Sequence, residues 1–288
     1  MLHAVGDAFA DKAQGAVNQL KNNAGRADVP AERQFAGLDA YQKVLDSGID
    51  VVILGDAPGF RPVQLAAAVE KNVHIFCEKP MAVDAPGVRS VMESVRKSKE
   101  NGKALVAGFC WRYDYARREA FKRLMDGEIG DITSIYATYY TGPVKPMPPA
   151  DAKPDGMSQT EWMVRNWYNF SWLGGDGLVE QAIHSVDKIM WAFGDQPPLT
   201  AVGSGGRVRP NHEGNIFDHF QVAYEFPNGI HAHMCSRQIP GCFGENADYI
   251  YGTKGVLFIG TWRGAAAIED LERQQGLALP REGRSEHV

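Results

Sequence analysis

Cysteine is scarce in this chain, and its few cysteines show neither metal-binding nor disulfide spacing. The 288 residues include 4 cysteines, with no Cys-x-x-Cys pair and no metal-like histidine cluster beside them. The sequence therefore predicts four buried free thiols in a reducing compartment, and we expect a cytoplasmic protein without a metal site. Long apolar runs are missing too, since none approaches the roughly 20 residues that a membrane helix needs. The first residues lack the basic segment of a secretory signal.

Basic residues are fewer than acidic ones. Lys and Arg number 30 against 35 Asp and Glu, which gives a formal net charge of −5. No broad cationic field is therefore available to attract nucleic acid or an anionic membrane, and we expect neither as a partner. The hydrophobic fraction of 44% and charged fraction of 23% are typical of a globular protein. The length suffices for one large domain or two ordinary ones.

The first third of the chain alternates between strand and helix patterns. Strands are predicted over residues 2–5, 49–54, 74–77 and 104–109, and helices over 8–22, 35–46, 62–71 and 85–98. Residues 49–54 are almost continuously apolar, as expected of a strand buried on both faces. This alternation predicts an α/β domain over residues 1–110 with a parallel sheet, in the manner of an incomplete, Rossmann-type doubly wound fold.

The pattern changes after residue 110. Helices are predicted over residues 115–125 and 178–193, and strands over 132–140, 220–226 and 230–236. The last two strands are joined through Pro227-Asn228-Gly229, which indicates an antiparallel hairpin. Residues 111–265 should therefore form an α+β domain with a mostly antiparallel open sheet. Residues 266–288 form an atypical polar tail, and we expect no strand or helix beyond residue 263.

The first chemical motif is Cys77-Glu78-Lys79-Pro80, directly after an apolar strand. Ligands of open α/β sheets bind at the carboxyl ends of the strands. A lysine placed there beside a glutamate and a proline suits acid-base work in a cleft. A surface lysine in a Lys-Pro turn is an equal alternative.

The second motif follows Gly174-Gly175 on the predicted helix 178–193. Glu180, His184 and Asp187 lie at i, i+4 and i+7 and so share one helix face. An apolar stripe runs beside this face, about a quarter turn away, which favours a face that lines a cleft. A salt-bridged helix face with one exposed histidine is the alternative.

Two further groups are ambiguous. The aromatic residues between 162 and 172 could stack on a sugar or fill a domain interface, and these are Trp162, Trp167, Tyr168, Phe170 and Trp172. His212, His219, His231 and His233 suggest a metal only weakly, because His231 and His233 would share the solvated face of a strand.

Taken jointly and in their strand and helix contexts, these two motifs resemble those of the glucose–fructose oxidoreductase/inositol dehydrogenase (Gfo/Idh/MocA) family. The resemblance runs from about residue 2 to about residue 258, and Trp111-Arg112-Tyr113 and residues 214–219 resemble a bacterial branch. It implies an NAD(P)-dependent oxidoreductase that transfers hydride between the nicotinamide and a secondary alcohol of a sugar, cyclitol or related polyol. It also implies a homo-oligomer formed through the sheet of the second domain.

The resemblance also implies roles for individual residues. The catalytic residues would be Lys79, His184 and Glu180, with Glu180 in the place of the family's usual aspartate. The cofactor-binding residues would be Asp7, Pro58, Glu78, Lys79 and Pro80, and the substrate-binding residues Trp111, Arg112, Trp167, Asp187 and His184. Because Asp7 matches the acid that binds the adenosine ribose hydroxyls, NAD is expected rather than NADP.

Three departures from the family pattern set further expectations. The printed residues contain no Gly-x-Gly-x-x-Gly turn to bind pyrophosphate, Asp56 stands where an Ala-Thr-Pro run is usual, and the tail is atypical. We therefore expect a chain truncated at both ends that on its own binds no NAD measurably. Two other functions stay open: NAD-dependent glycoside hydrolysis, and a non-catalytic fragment that acts only as a binding module.

Overall fold

The computed structural model describes residues 1–24, 29–208, 214–260, 266–270 and 276–278, and His212 lies outside them. The chain divides into two compact units, Met1–Gly108 and Phe109–Val288. Among the described helices, none combines the length and apolar character that a membrane crossing requires.

The first unit alternates strands and helices as the sequence predicts. Its elements are β1 (Val5–Asp7), α1 (Ala10–Ala24), β2 (Gln34–Ala36), α2 (Ala40–Asp46), β3 (Val51–Leu54), α3 (Arg61–Glu70), β4 (His74–Cys77), α4 (Ala85–Glu100) and β5 (Leu105–Ala107). The strands form two parallel sheets, β1-β2 and β3-β4-β5. Helix α4 begins where the Asp84 side chain accepts a hydrogen bond from the Gly87 amide at 2.7 Å, a standard N-cap.

Side chains on one face of β3 and β4 form the core of this unit. Val52, Leu54, Ile75 and Cys77 are buried, together with Leu65 of α3. The prediction that residues 49–54 are buried on both faces is wrong, because Val51 and Ile53 are 55% and 72% exposed. Successive side chains of a strand point to opposite faces, and one of those faces is left uncovered by the described residues.

Two boundaries also differ from the sequence prediction. The first strand is Val5–Asp7 rather than residues 2–5, so Asp7 is its last residue. The helix predicted over 35–46 begins only at Ala40, and Phe35 lies in β2, which pairs with β1. Gly37 separates the two elements with a φ of 112°, a conformation that favours glycine.

The second unit contains α5 (Tyr115–Met125), β6 (Ile132–Thr141), α6 (Gln159–Arg165), α7 (Ser171–Gly174), α8 (Asp176–Glu180), α9 (Ile183–Ala192), β7 (Thr200–Gly206), β8 (His219–Phe226), β9 (Ile230–Gln238), β10 (Asp248–Gly252), β11 (Gly255–Ile259), β12 (Ala266–Asp270) and β13 (Gly276–Ala278). The strands form one sheet in the order β13-β12-β11-β10-β6-β9-β8-β7. Every neighbouring pair is antiparallel except β6 and β9, which confirms the mostly antiparallel sheet.

The predicted hairpin is present. β8 and β9 pair antiparallel from His219 opposite Arg237 to Phe226 opposite Ile230. Between them, Asn228 and Gly229 both have positive φ, at 65° and 72°. Tight hairpin turns use such residues because their twist matches that of the strands.

Helices cover one face of the large sheet. Buried side chains of the strands, such as Ile135, Met234 and Leu257, pack in one core with Phe121 of α5 and Ile189 of α9. The tail differs from the prediction, since β12 and β13 extend the sheet where no strand was expected. Ile268 of β12 is 4% exposed, so this strand contributes to the core.

Two further predictions are corrected. The helix predicted over 178–193 is two helices, because Gln181 has φ −108° and ψ −54° and interrupts the helix between Glu180 and Ile183. All four cysteines, which lie within the described residues, are thiols as predicted, but they are not all buried. Cys110 and Cys242 are exposed and Cys235 is half-buried.

Candidate functional site

The Cys77-Glu78-Lys79-Pro80 motif lies where three parallel strands end together. The Glu78 amide donates to the Leu54 carbonyl at 2.9 Å, and the Gly108 amide donates to the Cys77 carbonyl at 2.8 Å. The Glu78 carboxylate lies against Gly108, where a Cβ would come within 2.7 Å of Oε2. Its Oε2 also accepts from the Lys79 amide at 3.2 Å. The half-buried lysine therefore stands on a loop fixed at the carboxyl edge of the sheet.

Arg61 connects this loop to the one that follows β3. Its side chain is only 2% exposed, and its guanidinium donates to the carbonyls of Pro80 and Asp56. The lysine and proline are joined by a cis peptide bond. Pro58 is buried in the same loop as Asp56, and its carbonyl accepts from the Arg61 amide at 3.3 Å. No sequence motif marked Arg61, because its burial and its contact with Pro80, 19 residues away, arise only from the packing of the two loops.

Two carboxylates lie at this edge. Burial raises the pKa of Asp56, and the Asp7 carboxylate raises it further, whereas the hydrogen bond from Gln64 and the charge of Arg61 lower it. The Gln64 amide donates to Asp56 Oδ2 at 2.5 Å, and Asp7 Oδ1 accepts from the Phe9 amide at 2.9 Å. Pro58, Glu78, Lys79 and Pro80 therefore lie at this edge of the three-stranded sheet, and Asp7, which ends β1 of the other sheet, is close enough to raise the pKa of Asp56. These two carboxylates suit ribose hydroxyls, which donate hydrogen bonds, and repel phosphate.

In the second unit, Arg112 binds carboxylates of its own chain. Its Nη2 donates to Asp187 Oδ1 at 2.9 Å and to Asp195 Oδ1 at 2.6 Å, and its Nε donates to Asp187 Oδ2 at 3.0 Å. Burial raises the pKa of Asp187, although Arg112 acts in the opposite direction. The fork-shaped guanidinium thus fixes the short helix Cys110–Tyr113 to α9 and to the turn that follows α9. Asp195, which no sequence motif marked, completes this clamp.

Trp111 and His184 lie together. Their ring centroids are 6.2 Å apart in an edge-on arrangement. On Trp111, the guanidinium of Arg117 lies 3.8 Å from the ring centroid, a cation–π contact. Trp111 and His184, two predicted site residues that are far apart in the sequence, are therefore neighbours in the fold.

Glu180 is buried near two tyrosines. It is 6% exposed, and its Oε2 accepts from the Gln181 amide at 2.7 Å. Tyr139 donates to Gln181 Oε1 at 2.8 Å, and burial, then the charge of Glu180, raises the pKa of Tyr139 to about 12. Burial and Glu180 also raise the pKa of Tyr168. Because α8 ends at Glu180, this residue and His184 lie on two helices and not on the single face that the sequence predicts.

The aromatic side chains between residues 162 and 172 differ in burial. Trp162, Tyr168 and Phe170 are buried, whereas Trp172 is 45% exposed. Trp167 is half-buried, with the Lys145 ammonium 4.4 Å from its ring centroid and Tyr168 edge-on at 5.9 Å. His231 and His233 do share a face of β9, with ring centroids 6.2 Å apart. The described residues contain no group of three or more potential metal ligands.

Comparison with known proteins identifies the family. Residues 4–109 match the oxidoreductase family NAD-binding Rossmann fold, and residues 118–258 match the GFO/IDH/MocA C-terminal domain. The chain belongs to the Gfo/Idh/MocA family. The fold and family predicted from the sequence are thereby confirmed.

Relatives in the Gfo/Idh/MocA family include dehydrogenases of ring alcohols. The chain is 28% identical to scyllo-inositol 2-dehydrogenase (NAD(+)) of Bacillus subtilis, over 78% of this chain and 59% of that protein. It is also 28% identical to trans-1,2-dihydrobenzene-1,2-diol dehydrogenase of Mus musculus, over 74% of this chain and 56% of that protein. The chain therefore spans little more than half the length of these relatives.

The fold also matches solved structures. An inositol dehydrogenase homolog complexed with NAD+ from Azotobacter vinelandii superposes with a TM-score of 0.73 at 16% identity. This match covers 95% of the present chain and 68% of the other. At that identity the likeness concerns the fold alone.

Proposed function

We propose that this chain belongs to an NAD-dependent oxidoreductase that transfers hydride between the nicotinamide and a secondary alcohol of a sugar, cyclitol or related polyol. The observation that carries the proposal is the fixed position of Lys79 at the carboxyl edge of the sheet, on a loop held by Glu78 and Arg61. Two relatives whose names specify an inositol and a cyclic trans-1,2-diol support ring alcohols with neighbouring hydroxyls as the substrate class.

The cofactor role falls to the first unit. Asp7 would accept hydrogen bonds from the adenosine ribose hydroxyls, and Pro58, Glu78, Lys79 and Pro80 would border the nicotinamide half. NAD, when bound, supplies the hydride acceptor, and the protein supplies binding and orientation. The carboxylates of Asp7 and Asp56 would repel a 2′-phosphate, so NAD should bind more tightly than NADP. Tighter binding of NADP would contradict this assignment.

A side chain would accept the proton of the substrate hydroxyl. Removing hydride from a carbinol carbon requires the hydroxyl proton to leave, so a base must lie within hydrogen-bond reach of it. We assign this role to Lys79 or His184, each of which stands on a fixed element. Glu180, buried beside Gln181, would orient the reacting groups. Trp111, Trp167 and Asp187 would bind substrate. Arg112, predicted to do the same, would act indirectly, because its guanidinium already donates to Asp187 and Asp195.

Assembly is the third part of the proposal. One face of the large sheet carries a row of rings from three adjacent strands, with Tyr136 and Tyr249 6.1 Å apart and Tyr249 and Phe258 5.1 Å apart. These side chains are half-buried and lie opposite the helix-covered core. A homo-oligomer formed through this face would cover them.

The test is a direct assay. The full-length gene product is purified and incubated with NAD and a panel of inositols, cyclic diols and aldoses, and NADH formation is followed by absorbance. We expect steady NADH formation with at least one ring polyol. Turnover of glycosides without net NADH would favour hydrolysis instead. Failure to bind NAD and every polyol in calorimetric titrations would refute the proposal.

A further inference from the structure

Gln181 interrupts the helix that the sequence predicts, and its side chain joins two other residues at this break. Its Oε1 accepts a hydrogen bond from the Tyr139 hydroxyl at 2.8 Å. Its Nε2 donates to Glu180 Oε2 at 2.7 Å. Its backbone carbonyl also accepts from the His184 amide at 3.3 Å. Gln181 therefore contacts both proposed catalytic residues of the second unit, Glu180 and His184.

The Tyr139 hydroxyl determines which way round the Gln181 amide lies. Tyr139 is 3% exposed, and burial, then the charge of Glu180, raises its pKa to about 12. The phenol therefore keeps its proton at neutral pH and donates it. Because the amide oxygen faces this donor, the amide nitrogen faces the Glu180 carboxylate, which accepts. A flipped amide would place its oxygen against the carboxylate and lose both hydrogen bonds.

A second tyrosine lies near Glu180 without such a link. The Tyr168 hydroxyl donates to Gln238 Oε1 at 2.9 Å, and burial, then the charge of Glu180, raises the pKa of Tyr168. The Nε2 of Gln238 has no hydrogen-bond partner among the described residues. Of these two pairs of a tyrosine and a glutamine, only that of Tyr139 and Gln181 leads to Glu180.

Both ends of this hydrogen-bond chain are held by the fold. Tyr139 belongs to β6 and pairs with Ser236 of β9 in the interior of the eight-stranded sheet. Glu180 ends α8, a helix of 5 residues whose first residue, Asp176, accepts from the Phe217 amide at 2.9 Å. So short a helix is not stable by itself. The position of the Glu180 carboxylate therefore depends on side-chain contacts such as those of Gln181.

We propose that Gln181 and Tyr139 are positioning residues, which fix the Glu180 carboxylate for hydride transfer through this hydrogen-bond chain. The inference rests on the proposed function, in which Glu180 orients the reacting groups. Neither Gln181 nor Tyr139 needs to touch the substrate, because each acts through its neighbour. Misplacing an orienting group by about 1 Å can cost about a hundredfold in rate. The hydrogen-bond chain should therefore affect kcat more than KM.

The test uses the full-length gene product at saturating NAD, with the best polyol of the assay panel. Gln181→Met removes both side-chain hydrogen bonds at similar volume, and Tyr139→Phe removes only the hydroxyl that sets the amide. We expect kcat to fall about tenfold to a hundredfold in Gln181→Met and by less in Tyr139→Phe, while KM changes little. Two controls should keep the wild-type kcat: Gln221→Met, at an exposed position of β8, and Tyr224→Phe, at the core of the same sheet.

Acidification separates positioning from a general structural role. Gln181→Glu still accepts from Tyr139, but as a carboxylate it cannot donate to Glu180. Two carboxylates in contact share a proton at a higher pH than either would bind it alone. The shared proton restores the hydrogen bond and the single negative charge of the wild-type pair. The kcat of Gln181→Glu relative to the wild type should therefore rise from mildly alkaline to mildly acidic pH, whereas that of Gln181→Met should not.

Three outcomes would overturn the proposal while the proposed function stands. They are a wild-type kcat in folded Gln181→Met, a loss that appears in KM alone, and a relative kcat of Gln181→Glu that does not change with pH.

Failure of the proposed function has a different signature. If the wild type oxidises no polyol, urea denaturation becomes the readout. Gln181→Glu should gain stability relative to the wild type as the pH falls, because the shared proton is bound more tightly in the folded state. The exchange variant Glu180→Gln/Gln181→Glu has one carboxylate in this pair and should show no such gain. That contrast would support the hydrogen-bond chain although the hydride-transfer function has failed, and equal pH dependence in both variants would overturn the chain itself.

Discussion

Lys188 and Asp248 form an ion pair in the interior of the second unit. The ammonium contacts Oδ2 of the carboxylate, and the two side chains are 3% and 2% exposed. Burial raises the pKa of Asp248, although Lys188 and Arg117 act in the opposite direction. The pair ties α9, which carries His184, to β10 of the sheet.

Replacing one member of this ion pair should destabilise the protein, whereas replacing both with apolar residues should not. Lys188→Met leaves a buried carboxylate without its cation, and we expect the free energy of unfolding at neutral pH to fall by about 3–5 kcal/mol. The double variant Lys188→Met/Asp248→Leu should recover most of that loss, because both buried charges are removed. Urea denaturation followed by near-ultraviolet circular dichroism measures both. A single variant as stable as the wild type would contradict the assigned role.

Lys79 should be required for turnover. Replacing it with alanine in the active protein should lower kcat by about a hundredfold or more, the usual scale for a lost acid-base group. NADH formation at saturating NAD and polyol is the measurement. Lys97→Ala, an exposed lysine on α4, serves as the control and should keep wild-type kcat. Wild-type turnover in a folded Lys79→Ala protein would reject the assignment.

Asp56 should reduce stability at neutral pH. Its pKa is raised in the folded protein, chiefly by burial, so the folded state loses stability as pH rises from the unfolded-state pKa through the folded-state pKa. Asp56→Asn removes the charge and offers a donor to Gln64 Oε1, which has no partner among the described residues. We expect a gain of about 1 kcal/mol at pH 7.

The pH dependence distinguishes this mechanism from a general packing effect. The advantage of Asp56→Asn over the wild type should shrink below about pH 4, where the aspartate is protonated in both states. Denaturation at a series of pH values provides the test. An advantage that does not change with pH would show that ionisation of Asp56 is not its source.

Helix and strand bounds were predicted well where a nearby residue in the sequence ends the element. β4 has the predicted bounds, and Pro80 lies shortly after its end. Helix α5 also has the predicted bounds, because the Asp114 side chain caps it by accepting from the Arg117 amide at 2.9 Å. The break at Gln181 was missed because neither it nor its neighbours is a helix breaker by type. The exposure of Ile53 was missed because an apolar run does not reveal what covers it.

The site was predicted only in part, for a similar reason. Lys79 and His184 were found because each stands in a local motif with a recognisable chemistry. The partners of Arg112 are 75 and 83 residues away along the chain, and Gln181 is 42 residues from Tyr139. Such pairs depend on how the sheet and helices pack, which single-sequence periodicity does not encode.

The ring row on the large sheet should control assembly. Tyr249 lies between Tyr136 and Phe258 in register across three strands, and Tyr249→Asp would place a charge at its centre. Burying that unpaired charge against a second copy would be costly, so the variant should sediment as a smaller species than the wild type. Val63→Asp, on a 63% exposed position of α3, is the matched control and should leave the sedimentation coefficient unchanged. Both variants must keep the wild-type circular dichroism spectrum, because a charge that unfolds the sheet would also alter assembly. A folded Tyr249→Asp protein with the wild-type sedimentation coefficient would show that oligomers do not form through this face.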